Sequence, residues 1–404
     1  MKIGLFGGTF NPPHNAHLRL AQNFLKEYNL DKLYICPANI PYHKISTKPI
    51  DAEHRLNMCK LAFKGVADDK VIVSDIEIRR GGNTYTVDTV NEILYLNHEC
   101  EKVYVLCGSD MIKTLPSWHK ANELFKKSHF VHAKRKGMQD ISLPNTELLP
   151  LNFEEMEISS SEIRLNVESF KQYLPKEVYE YAKKNLLYHI DKEYDIEELK
   201  NYAMLHEKEK RYLHTLAVEE CALELKSHCA PHLSDNLISA SAILHDCTKN
   251  SDISDHYILF STLDKQLSKE DLSSEKLFHS RSGAILAKRI FDVSDAVYNA
   301  IWRHTVGAEN MTVLDKIIFL ADFIEKTRTY EECIGLRNTY YEGLKSANSL
   351  IKRLINLDKC VKIAFELTVK ELRTRGVLPH SETLAALQRI KNDICEYENV
   401  FINI

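Results

Sequence analysis

The stretch "GGTFNPPHNAH", Gly7 to His17, follows an apolar run, "KIGLF", that begins at Lys2. An apolar run, a glycine pair and then a helical pattern read as strand, turn and helix N-terminus. Such a turn aims backbone N–H groups and the positive end of a helix dipole at one point. The glycine spacing is that of neither common nucleotide-loop fingerprint, so it names no ligand by itself. His14 and His17 stand three apart where the helix begins, so both imidazoles can face one ligand. Two readings stay open at this point: a Pro-Pro turn carrying surface histidines, or an anion cradle with imidazole donors.

Outward from this stretch, the first half alternates short β-rich runs with helical patterns. The strands are expected over 2–6, 32–36, 71–75, 102–106 and 129–133, and the helices near 17–28, 51–64, 85–96 and 119–127. That alternation predicts an α/β domain with a mostly parallel sheet, whose ligands sit beyond the carboxyl ends of the strands. "GGTFNPPH", "PANIPYHK" and "GSDM" each follow one of those strands. Past residue 190 glycine and proline become rare, and helical spacing takes over, as in Leu213, Leu216, Ala217, Cys221 and Leu223. The second half therefore reads as an all-α domain. The domains are expected over 1–190 and 191–404, joined near the polar "YHIDKEYD".

At 404 residues the chain exceeds what one core usually supports, which fits two domains. Its 44% hydrophobic and 27% charged content is that of a soluble protein, and a net charge of -4 gives no footprint for nucleic acid. Ten cysteines without a Cys-x-x-Cys pair suggest neither a zinc ribbon nor a disulfide framework. No signal-peptide pattern opens the chain and no apolar run is long enough to span a bilayer, so a cytoplasmic protein without membrane partners is expected. A homo-oligomer is compatible with these features, which set no oligomeric state.

A second segment, "ISSSEIR" (Ile158 to Arg164), carries Ser-x-x-Glu cap spacing and a cation one turn into a helix. Together with "GGTFNPPHNAH", "PYHK" (Pro41 to Lys44), "GGNTYTVDT" (Gly81 to Thr89), "GSDM" (Gly108 to Met111) and "SWH" (Ser117 to His119), it resembles the nucleotidylyltransferase superfamily. Over residues 1–188 the chain is most similar to nicotinate-nucleotide adenylyltransferases, with Ala16 standing where the superfamily often has glycine. The resemblance implies a Rossmann-like sheet and transfer of AMP from ATP to nicotinate mononucleotide, with release of pyrophosphate. It implies that His14, His17, Lys44 and Arg164 act on the triphosphate, with Mg²⁺ carried by the nucleotide. It further implies ATP contacts from Gly7, Gly8, Thr9, Phe10, His17, Gly108, Asp110, Ile158, Ser159, Ser160 and Arg164. Lys44, Thr84, Tyr85 and Trp118 would hold the mononucleotide. An adenylyltransferase acting on phosphopantetheine is the competing reading, and the Thr84-Tyr85 and Trp118 segments weigh against it.

The second half carries its own series: His214 in "RYLHT", His245-Asp246 in "AILHDCTK", His279 in "LFHSRSG", His304 in "IWRHTVG" and Asp322 in "FLADFIE". A polar residue in an apolar helix is costly unless paired, and one such histidine is usually a satisfied core residue. Five such segments in one domain point to a shared site, and imidazole with carboxylate suits iron, manganese or zinc. His214, His245, Asp246 and Asp322 would hold one ion; His279 and His304 would serve a second, with Asp246 bridging. Lys249 is read either as a phosphate-neutralising cation or as a solvated lysine. The order is similar to that of HD-domain phosphohydrolases. The flanking "RYLHTLAVEECALEL", "DKIIFLADFIEKTR" and "GVLPHSETLAALQ" resemble the YqeK-like symmetrical diadenosine-tetraphosphate hydrolases over about residues 195–390. That resemblance implies cleavage to two ADP, a catalytic Asp246 and two metal ions, with iron favoured. The alternatives are another nucleotide phosphoester as substrate, or a regulatory nucleotide-binding module.

Overall fold

The computed structural model describes residues 1–40, 50–67, 69–112, 114–134, 148–153, 158–165, 167, 169–189, 191–263 and 267–402. The chain divides into two compact units, Met1–Ala182 and Lys183–Ile404.

In the first unit β1 (Ile3–Gly8), β2 (Lys32–Pro37), β3 (Val71–Val73), β4 (Val103–Cys107), β5 (Ser128–Lys134) and β6 (Leu148–Asn152) form one sheet. Its order is β3-β2-β1-β4-β5-β6 and every pair is parallel, a Rossmann-like arrangement. The strand order reverses between β1 and β4, which places the ligand crevice at the carboxyl end of β1. Ile3 to Phe6 are buried, as a strand covered on both faces requires. Strand β6, "LLPLN", is absent from the sequence reading: Pro150 lacks an N–H, and the edge position of β6 tolerates that. The short helices Ile76–Arg80 and Ser109–Ile112 also went unread, because five and four residues hold too little periodicity, whereas helix Ser160–Leu165 stands where "ISSSEIR" is expected to open one.

The second unit contains only helices among its described elements. Helix Asp235–Leu244, capped by Ser234 Oγ on Leu237 N–H, is buried from Leu237 to Leu244, so it lies inside the unit. Helices Glu209–Cys229, Glu275–Phe291, Asp295–Arg303 and Val313–Ile324 pack against it. Helix Glu209–Cys229 turns His214, Ala217, Val218, Cys221 and Leu225 inward and leaves Leu213 55% exposed. Its inward face is thus rotated from the stripe that Leu213 and Leu223 suggested. No described helix is long and apolar enough to cross a membrane.

Candidate active sites

In the first unit, β1 delivers Gly7 and Gly8 to the edge of the crevice and the chain then enters helix Asn15–Tyr28. A Cβ on Gly7 would meet nothing within 4 Å, whereas on Gly8 it would lie 3.1 Å from the Phe10 ring. The loop carbonyls are taken up by protein donors. Ala38 N–H donates to Gly8 O at 2.9 Å. Arg55 Nη1 donates to Thr9 O, Arg164 Nη1 to Asn11 O and Ser160 Oγ to Pro12 O, each at 2.9 Å. With its carbonyls held this way, the loop can offer N–H groups on its other side. "GGTFNPPHNAH" and "ISSSEIR" therefore touch directly.

The two histidines are not equivalent. His14 N–H donates to His17 Nδ1 at 3.1 Å, which in the neutral ring puts the His17 proton on Nε2. The rings lie 3.8 Å apart at their centroids. His14 is buried, and burial lowers its pKa to about 4, so it is a neutral imidazole near pH 7. Its Nδ1 has no hydrogen-bond partner among the described residues. Ser159 is engaged in a reciprocal cap: its Oγ donates to Glu162 Oε2 at 2.6 Å and accepts from Glu162 N–H at 3.2 Å. The hydroxyl protons of Ser159 and Ser160 are thus spent on protein acceptors. Arg164 Nη2 also donates to Ser161 Oγ at 3.0 Å.

Arg55 escaped the sequence reading. It is 1% exposed, and besides Thr9 O its guanidinium reaches Ile50 O at 3.1 Å and Asn39 O at 2.8 Å. One cation thereby joins the loops that follow β1 and β2. The available signal was the polar run His54, Arg55, Asn57 within helix Ala52–Phe63, all buried, where an amphipathic helix would expose part of it. Asn39 Nδ2 donates to Gly82 O at 3.1 Å and so draws the Thr84-Tyr85 loop in.

Around that loop, Thr84 Oγ1 is buried without a partner among the described residues. The Tyr85 ring lies tilted against His119 with centroids 4.3 Å apart, and Trp118 Nε1 donates to Thr114 Oγ1 at 3.1 Å. Trp118 and Tyr85 both pack on the core cluster that contains Val87 and Leu115. Gly108 is exposed just after β4, and Ile158 is half-buried before helix Ser160–Leu165. Asp110 lies in helix Ser109–Ile112, its side chain outside the described ones; Lys44 and the rest of "PYHK" lie outside the described residues.

In the second unit the five read segments converge at the end of the central helix. His214, His245 and Asp322 bring one ligand atom each within 4.8 Å of one another, and so do Asp246, His279 and His304. Asp246 stands between the groups: its Oδ2 is 3.5 Å from His245 Nε2, while Oδ1 is 3.1 Å from His279 Nε2 and 3.5 Å from His304 Nε2.

The ring nitrogens decide whether this is a core network or a ligand set. His245 Nδ1 faces Ala242 O at 2.6 Å and His304 Nδ1 faces Ile301 O at 2.7 Å, so each carries its proton there and turns an Nε2 lone pair inward. His214 Nδ1 faces Glu325 Oε1 at 3.0 Å, with its Nε2 3.0 Å from Asp322 Oδ1. His245 Nε2 is fully buried with no hydrogen-bond partner among the described residues, and His279 Nε2 lies 3.1 Å from His304 Nε2. Burial lowers the pKa of His245 and of His279 to about 4, leaving both neutral. Burial also works against protonation of His214, but its bonds to Asp322 and Glu325 outweigh that and raise it to about 9. His245 and His279 thus offer neutral nitrogens, and His214 gives up a proton to take a cation; with the carboxylates of Asp246 and Asp322 the residues fit a pair of divalent cations.

Among the described residues, three cations border this cluster. Arg211 Nη1 meets Asp246 Oδ2 at 2.7 Å, Arg328 Nη2 meets Asp322 Oδ1 at 2.6 Å, and Lys249 Nζ lies 2.9 Å from His279 Nε2. Their side chains are 28%, 32% and 33% exposed, against 3% for Asp246, so the cations form the rim and the ligands the floor. Arg211, Glu325 and Arg328 were missed in the sequence; their spacing from His214 and Asp322 (one turn, or just past the helix end) was the only signal. Beyond His304 the chain reverses at Gly307, φ +75°, where a Cβ would sit 2.5 Å from the Phe365 ring.

Residues 5–166 match the family model described as cytidylyltransferase-like, and residues 211–326 match that of the HD domain. The nicotinate-nucleotide adenylyltransferase of Bacillus subtilis (strain 168) is 38% identical over 190 residues, 46% of this chain and 98% of that protein. A Listeria monocytogenes protein (serotype 4a, strain HCC23) named probable nicotinate-nucleotide adenylyltransferase is 35% identical over 187 residues, 46% of this chain and 97% of its own. A solved structure described as a predicted HD superfamily hydrolase involved in NAD metabolism, from Clostridium acetobutylicum, is 27% identical. It covers 50% of this chain and 100% of its own, at a TM-score of 0.44.

Proposed function

The chain belongs, through its N-terminal half, to the nicotinate-nucleotide adenylyltransferase family, and on that premise we propose that it carries two activities, one in residues 1–190 and one in 191–404. The first is transfer of AMP from ATP, accompanied by Mg²⁺, to nicotinate mononucleotide. The observation that carries it is the junction of Arg164 and Ser160 with the carbonyls of Asn11 and Pro12, beside His14 and His17. The mononucleotide phosphate attacks the α-phosphorus in line, the bond to the β-phosphate oxygen breaks, and pyrophosphate leaves. The protein's part is position and charge, so no protein nucleophile takes part. His17 donates from Nε2, neutral His14 donates its single N–H, and Arg164 donates the N–H groups not used on Asn11 and Ser161. Lys44 adds a cation to the same phosphates. The Thr84 hydroxyl meets the polar edge of the nicotinate, and Tyr85 and Trp118 its ring.

The second activity is hydrolysis of diadenosine tetraphosphate with one water to two ADP. Its support is the convergence of His214, His245, Asp246, His279, His304 and Asp322 with their inward nitrogens. Two cations held there, for which we favour iron, would supply water activation and charge neutralisation at phosphorus. The chain itself orients the ligands: Glu325, Ala242 O and Ile301 O fix three imidazoles. Lys249 neutralises a phosphate at the rim.

Product analysis on the full chain of known metal content tests both. ATP with nicotinate mononucleotide is expected to give nicotinate adenine dinucleotide and pyrophosphate, and faster than with nicotinamide mononucleotide. Diadenosine tetraphosphate is expected to give ADP alone; AMP with ATP as products, or no turnover with two ions bound, would reject the second reading.

A further inference from the structure

The segment "GVLPHSETLAALQ", Gly376 to Gln388, has no part in either reaction as described so far, yet its first helical turn meets a buried arginine. Arg281, 1% exposed, lies two residues beyond His279 on helix Glu275–Phe291. Its Nε donates to Asp271 Oδ1 at 2.8 Å and its Nη2 to Glu382 Oε2 at 2.6 Å. Its Nη1 donates to the carbonyl of Trp302 at 2.6 Å, and the guanidinium lies 4.5 Å over the Trp302 ring. Asp271, His380 and Glu382 come within metal-binding reach of one another. The guanidinium already bonds both carboxylates, so this group is a clamp and not a cation site.

The position of the clamp matters. Trp302 O is one of the last carbonyls of helix Asp295–Arg303, which have no partner inside the helix. Its neighbour Ile301 O accepts from His304 Nδ1. Arg281 therefore fastens the helix of His279 to the helix end that orients His304, whose Nε2 atoms stand 3.1 Å apart. The late segment grips the same turn a second time, through Thr383 Oγ1 on Val306 O at 2.8 Å. We infer that Arg281, locked by Asp271 and Glu382, is a positioning residue that sets the spacing of His279 and His304 and with it the second ion's half of the centre. The inference rests on the two-ion reading above. A lysine keeps the charge but cannot reach three acceptors in one plane.

The test is titration of the metal-stripped full chain with Mn²⁺ alone, counting bound ions and recording the electron paramagnetic resonance signal of a coupled pair. Wild type is expected to bind two ions and show coupling. Arg281→Lys is expected to keep the first ion's affinity within about twofold, weaken the second at least about tenfold, and show an isolated-ion signal. Unchanged binding of both ions, or equal loss of both, in a folded Arg281→Lys chain overturns the inference and leaves the two-ion reading standing. A wild-type chain that binds one ion overturns that reading, and this inference with it. If Arg281→Lys does not fold, Glu382→Gln decides: a selective weakening of the second ion of about threefold or more supports the inference, and none overturns it.

Discussion

Arg164 Nη1 donates to the carbonyl of Asn11 at 2.9 Å across 153 positions of sequence. The bond holds the loop after β1 against the helix that opens at Ser160, while Nη2 of the same guanidinium donates to Ser161 Oγ at 3.0 Å.

Arg164→Lys keeps the charge and loses the fork. We expect kcat/KM for dinucleotide synthesis to fall roughly 100-fold, the order seen when one preorganised donor to a reacting centre is lost. Hydrolysis of diadenosine tetraphosphate should stay unchanged in the same preparation. A fall below about threefold would remove Arg164 from the reaction.

His245→Ala deletes a buried imidazole whose Nε2 has no hydrogen-bond partner among the described residues. Bound metal should drop, and hydrolysis should fall by roughly 100-fold or more. Dinucleotide synthesis should stay within about twofold of wild type. Loss of both activities together would reject two independent sites.

Glu325 acts one step further out, through His214 Nδ1 at 3.0 Å. Glu325→Gln should weaken metal binding about 10-fold to 100-fold, the usual effect of losing such an outer partner. Calorimetric titration with Mn²⁺ measures it, and an unchanged affinity would mean that His214 needs no such support.

Arg55→Leu would leave the carbonyls of Thr9, Asn39 and Ile50 without their donor. A cost of about 3 kcal/mol to the first unit is expected, since buried acceptors stripped of a partner lose 1–3 kcal/mol each. Denaturant unfolding checks it, and a change under about 1 kcal/mol would mean that water replaces the guanidinium.

Glu77 supplies a pH signature. It is 6% exposed, and burial lifts its pKa from 4.5 to about 7, partly opposed by the bond from Thr89 Oγ1. Between those values the folded chain keeps a proton that the unfolded chain has released. Stability therefore falls as pH rises from 4.5 to about 7 and levels off above. Glu77→Gln should abolish that slope and gain roughly 3 kcal/mol on wild type by pH 8 relative to pH 4. Parallel unfolding curves for the two proteins at both pH values would contradict it.

The sequence alone determined what neighbours decide. Strand-turn-helix order, the parallel sheet's first five strands and the all-α second half follow from periodicity and local residue chemistry, which act over a turn or two. Strand β6 did not, since Pro150 masks the pattern. Tertiary structure decided who meets whom. A buried arginine such as Arg55 or Arg281 and a buried histidine such as His245 leave the same mark on a sequence, one polar residue in an apolar helix. Only convergence separates them: the arginines end on carbonyls and carboxylates that satisfy them, while His245 ends beside Asp246 and Asp322 with a buried lone pair. "GGTFNPPHNAH" is the same case, a turn by its residues whose Asn11 carbonyl is taken up because Arg164 folds back onto it.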